Sequence, residues 1–77
     1  MRLIKTLRDS QIGIALYSVN GKYLSKFEFR DLEIGIKSPE EDYPDLDSFL
    51  IKITHPNFLS LIKDEFRRLE MIREQLD

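Results

Sequence analysis

The sequence has no cysteine and no tryptophan, a single histidine, His55, and only three glycines in 77 residues. Without cysteine there is no disulfide and no thiolate, and one histidine excludes a multi-histidine metal site. Gly13, Gly21 and Gly35 are too few and too scattered to build a phosphate cradle, and no Gly-x-Gly-x-x-Gly, Walker loop or His-Glu-x-x-His occurs. No apolar run approaches the roughly 18 residues of a membrane span, and the N-terminus lacks the apolar core of a signal peptide. The expectation is a cytoplasmic protein without membrane association. It is not expected to be an enzyme: no catalytic residue, metal, cofactor or small-molecule substrate is inferred.

What is present is ordinary for a folded domain, with 42% hydrophobic and 34% charged residues. The chain reads as one small domain, 1–77, and a domain of this size buries only about 60% of the surface its unfolded chain exposes. Oligomerisation is the easiest further source of stability, so a homodimer or a complex with another protein is expected. Charge is unevenly placed. Residues 1–37 carry seven bases against four acids, residues 38–47 five acids and no base, and residues 48–77 five of each. The net charge of −2 argues against general nucleic-acid binding, because phosphate neutralisation needs a concentrated basic surface.

Asn20-Gly21 is the strongest local signal, since it supplies the two positive-φ residues of a type I′ hairpin turn. Counting outward from it sets Ser18 against Tyr23, Leu16 against Ser25, Ile14 against Phe27 and Ile12 against Phe29 on one face. Val19, Tyr17, Ala15 and Gly13 then meet Lys22, Leu24, Lys26 and Glu28 on the other. The first face is the core by its composition. Arg2 to Arg8 reads as a strand returning across a turn at Asp9-Ser10, with Leu3 and Leu7 on the core face opposite Leu16 and Ile12. After Phe29 the apolar positions change from odd to even at Leu32, Ile34 and Ile36, which places a turn or bulge at Arg30-Asp31. Residues 38–47 read as an acidic loop pinned by Tyr43 and Leu46. Residues 48–54 read as a fifth strand, with Phe49, Ile51 and Ile53 inward and Lys52 outward.

At Thr54-His55-Pro56 the apolar period changes from two to about 3.6. Pro56 suits the first helical position and His55 the N-cap. One long helix over 56–76 follows, with Phe58, Leu61, Ile62, Phe66, Leu69, Ile72 and Leu76 on its apolar stripe and its last turns overhanging the sheet. Lys5 and Glu65 fall on the core-facing sides of strand and helix and are expected to approach each other. The fold class is therefore α+β: an antiparallel meander of four to five strands packed by one C-terminal helix, with a half-barrel as the curled variant.

Two surfaces carry the functional expectations. A sheet backed on one side leaves Ile4, Tyr17, Val19 and Leu24, edged by Lys26, as an apolar strip of the kind that marks protein contact. A small interaction or regulatory module follows, an adaptor, inhibitor or accessory subunit. The alternative is a single-stranded nucleic-acid binder using Lys22, Lys26, Arg30 and Tyr17, weakened by the placement of Phe27 and Phe29 on the core face. The acidic segment lacks the spacing, glycine and bidentate Glu of an EF-hand, so a solvated loop or a strip for a basic partner is expected there rather than a calcium site. His55, beside a proline with no nucleophile in view, is expected to cap a helix rather than to move protons.

Overall fold

Three two-residue turns divide residues 2–39 into strands of equal length. In the computed structural model, which describes all 77 residues, β1 (Arg2–Asp9), β2 (Ile12–Val19), β3 (Lys22–Phe29) and β4 (Leu32–Pro39) form one open antiparallel sheet in the order β1-β2-β3-β4. Asn20 and Gly21 have φ of 50° and 76°, as a type I′ turn requires. Ser18, Leu16 and Ile14 face Tyr23, Ser25 and Phe27, the register that the turn dictates. The change of parity after Phe29 is a plain hairpin, in which Phe29 faces Leu32 and Phe27 faces Ile34. In that turn Arg30 has a positive φ of 56°, as has Ser10 between β1 and β2, so a side chain occupies the position where glycine is favoured.

The pairing of β1 departs from the expected register. Leu3 lies opposite Tyr17, a bulge follows, and Lys5, Leu7 and Asp9 lie opposite Leu16, Ile14 and Ile12. The extra residue is Ile4, and it packs against the core cluster. A bulge shifts the alternation by one residue, so Leu3 and Ile4 exchange the faces that simple counting assigns them.

The expected fifth strand is a helix. A short 3₁₀ turn at Glu40–Asp42 follows β4, and α1 then runs over Leu46–Ile53. Asp45 caps it by accepting the Ser48 N–H at 2.8 Å. Leu46, Phe49, Leu50 and Ile53 supply its apolar face at i, i+3, i+4 and i+7, while Ile51, taken as inward under the strand reading, is 66% exposed. Tyr43 and Leu46 pin the acidic segment as expected. The Tyr23 ring stacks on Phe49 at 4.6 Å and Tyr43 meets Phe49 edge-on at 4.7 Å.

The Ser48 hydrogen bonds, backbone first and then side chain, hold the Asp45 carboxyl below the ordinary aspartate range. A lowered folded-state value means that the cap stabilises α1 fully above the unfolded aspartate value. That stabilisation is lost as pH falls through the folded one. Asp45→Asn keeps a good cap but removes this ionisation. Its melting temperature is expected below that of the wild type at about pH 7 and equal to it at about pH 2. Parallel curves at both pH values would remove the ionised cap from the account.

The main helix, α2, spans Pro56–Glu74, with His55 as N-cap accepting the Asn57 N–H on Nδ1 at 3.1 Å. The expected C-terminal helix is thus α2, joined by a second helix, α1, where a strand was expected, and the two share one face of the sheet. The core joins Ile12, Ile14, Leu16, Tyr23 and Phe27 with Phe49 and Ile53 of α1 and Leu59, Ile62 and Phe66 of α2. Leu59, absent from the expected stripe, is buried, whereas Leu61, Ile72 and Leu76 are exposed. Lys5 and Glu65 do not pair: Lys5 stays exposed, and Glu65 bonds Arg68 at 3.6 Å.

Ion pairs from α2 to the turns fix its direction. Lys63 reaches Asp9 at 3.4 Å, Glu70 reaches Arg30 at 3.2 Å and Arg73 reaches Asp31 at 2.9 Å. The helix thus runs across the strands from the β1–β2 turn to the β3–β4 turn, and residues 71–77 at its C-terminal end are exposed. The radius of gyration is 13.2 Å, against about 11.5 Å for a compact chain of this length. The accessible surface is 5541 Å², against about 4,900 Å² for a monomer of this mass.

Candidate functional site

With both helices on one face, no element of the chain covers the other. The register lays out that open face as rows across the sheet. Leu3, Tyr17, Leu24 and Lys37 form one row, and Thr6, Ala15, Lys26 and Gly35 the next. Arg8, Gly13, Glu28 and Glu33 form a third, and Val19, Lys22 and Pro39 a shorter one near the Asn20-Gly21 turn.

The rows alternate in height. Gly13 and Ala15 floor a trough of about 500 Å³ walled by Thr6, Arg8, Lys26 and Glu28. Beside it stands the apolar row. Leu24 is only 9% exposed although no helix lies over it; it leans across Gly35, where a Cβ would sit 3.8 Å from its Cδ1. Tyr17 is half-buried, with the Lys26 ammonium 5.4 Å from its ring centroid. Lys26 also reaches Glu33, at 3.8 Å. Tyr17, Val19, Leu24 and Lys26 are therefore together on the open face. Ile4 is on the helix side, and Leu3, 53% exposed, takes its place beside Tyr17. Nothing in the local sequence marks that exchange, because the bulge at Ile4 contains neither glycine nor proline.

The basic set Lys22, Lys26, Arg30 and Tyr17 is divided. Lys22 lies at the Asn20-Gly21 end and Arg30 in the turn at the opposite end, where its guanidinium lies 4.9 Å from the Phe29 ring and bonds Glu70. The face of Tyr17 that a base would stack on is the face that Lys26 approaches. Phe27 and Phe29 pair with Phe58 and Phe66 of α2 at 5.8 and 5.6 Å.

A second cleft, of about 360 Å³, lies where α2 crosses the turns, between Gln11, Phe29, Arg30, Lys63, Phe66 and Arg67. Each of its cations already has an acid: Arg30 has Glu70, Lys63 has Asp9, and Arg67 has Asp64 at 2.7 Å. An anion entering it would have to displace those carboxylates. His55 is exposed and engaged in its cap, and no three His, Asp or Glu side chains gather closely enough to hold a metal ion. No helix is long and apolar enough to cross a membrane.

No protein-family model, curated protein or solved structure significantly matches the chain. The surface chemistry alone therefore carries the functional argument.

Proposed function

We propose that this chain is a small, non-enzymatic protein-interaction module, an adaptor, inhibitor or accessory subunit, that self-associates and docks a protein partner on the helix-free face of its sheet. One observation carries the reading. The sheet is covered on one side only, and its bare side places exposed Leu3 and partly exposed Tyr17 and Val19 around the largely covered Leu24, with Lys26 at their edge. Contiguous apolar surface with a polar rim is what a protein interface uses. A cytoplasmic location is part of the same proposal.

The test uses residues whose removal spares the core. Leu3→Ser combined with Tyr17→Ala trims the exposed part of the row and leaves the covered Leu24 in place. Partners retained from a cell extract by the wild-type chain are expected to fall at least about tenfold with the double variant, a loss of two interface side chains' worth of contact. They are expected to persist after nuclease treatment. Equal retention by both chains would remove the open face as the contact. Loss of all partners on nuclease treatment, together with a steep fall of binding with salt, would favour single-stranded nucleic acid.

A further inference from the structure

The two free edges of the sheet are not alike. β1 carries the devices by which proteins block an edge: a bulge at Ile4, a lysine, Lys5, on the core side, and a run of Arg2, Lys5 and Arg8 along one strand. β4 has no bulge and no inward-facing charge from Leu32 to Ser38; its two charges, Glu33 and Lys37, are of opposite sign and lie on the open face. It pairs with β3 without a break, and its one proline is terminal. Since residues 46–53 form α1 rather than a fifth strand, nothing in the chain pairs with this edge.

The register also fixes which backbone groups are free. Phe29 and Leu32 close a two-residue hairpin, and at the other end the Glu40 N–H donates to the Gly21 carbonyl at 3.0 Å. Hydrogen-bonded pairs alternate between those points. Even-numbered residues of β4 therefore bond β3, while Glu33, Gly35 and Lys37 turn their N–H and C=O groups outward. We propose that this edge pairs antiparallel with β4 of a second copy of the chain, about a two-fold axis at Gly35, so that the two sheets become one.

In that register the outward groups of Glu33, Gly35 and Lys37 are satisfied together. Gly35 meets Gly35, and Glu33 meets Lys37 of the second copy twice, once on each side of the axis. A two-fold interface demands such self-complementarity. Placing the axis at Glu33 or at Lys37 instead would set like charges face to face. Within its own chain Glu33 has only Lys26, at 3.8 Å, and Lys37 has no acid at ion-pair distance. On the helix side the pairing sets Ile34 against Ile36, so residues that the helices leave half-buried extend one apolar row through the joint. This surface is separate from the open face and deepens the self-association proposed above.

Sedimentation equilibrium combined with amide hydrogen exchange tests it. The wild-type chain is expected to be a dimer, with concentration-dependent protection at Glu33, Gly35 and Lys37 and none at Thr6 and Arg8 of the other edge. Gly35→Pro removes an N–H that β3 does not use, and is expected to give a folded monomer. Glu33→Lys is expected to weaken the dimer about tenfold, and Glu33→Lys with Lys37→Glu to restore it to within about threefold. Should the proline variant fail to fold, the charge reversal and its rescue decide alone. A chain still monomeric at about 1 mM overturns the pairing. So does a dimer indifferent to both reversals, or one dissolved by Leu3→Ser/Tyr17→Ala, which would move self-association to the open face. A dimer lost through β4 while extract partners are retained separates this pairing from the partner-binding face.

Discussion

Phe27→Ala is expected to unfold the domain at room temperature or to leave it barely stable. Phe27 is 0% exposed, lies at the middle of β3 with Ile14 and Ile34 on either side, and meets Phe58 of α2 at 5.8 Å. Removing a buried phenyl ring costs roughly 3–5 kcal/mol through lost transfer energy and the cavity left behind. A chain of this length is worth about 4–12 kcal/mol in total. Only 12 of the 77 residues are buried, which places it toward the lower end of that range. Urea unfolding followed by circular dichroism checks this. A midpoint close to that of the wild type would mean that the sheet–helix layer is not the main source of stability.

The second large effect separates the two descriptions of residues 46–53. As a strand, Phe49 and Ile51 would point inward together, and truncating either would cost comparable amounts. As α1, Phe49 is buried between Tyr23 and Tyr43 while Ile51 faces solvent. Phe49→Ala is expected to lose roughly 3–5 kcal/mol, and Ile51→Ala to change stability by less than about 0.5 kcal/mol. Chemical denaturation of the two single variants beside the wild type is sufficient. Two equal, large losses would restore the alternating pattern and would also hide the β4 edge.

The β2–β3 hairpin was legible because Asn20-Gly21 admits a single turn type and two alternations agree with it. The N-cap at His55 was legible because Pro56 restricts its neighbours. The helix α1 was not, because Phe49 and Ile53 lie four apart, a spacing that fits a strand and a helix equally. Asp45 as a cap, followed by Leu46, Phe49, Leu50 and Ile53 at helical spacing, was the signal that could have decided it. The exchange of Leu3 and Ile4 left no trace, since a bulge depends on how two strands settle against each other. Of the open-face residues, Tyr17, Val19, Leu24 and Lys26 could be read from the hairpin alone. Leu3 required the bulge, and the importance of Gly35 required knowing that β4 ends the sheet.

The two-layer arrangement also sets an order of events during synthesis. Each strand pairs with its neighbour in the chain, so the sheet can assemble as it emerges, with little loop-closure cost. Its cover cannot. Leu59, Ile62 and Phe66, which seal Ile12, Ile14, Leu16 and Phe27, are made after every strand is complete. A nascent chain passes through a stage in which both faces of the meander and its unguarded β4 edge meet the solvent at once, the condition under which neighbouring chains on one messenger pair wrongly. The speed with which α2 follows the sheet out of the ribosome thus becomes part of what keeps this protein from aggregating.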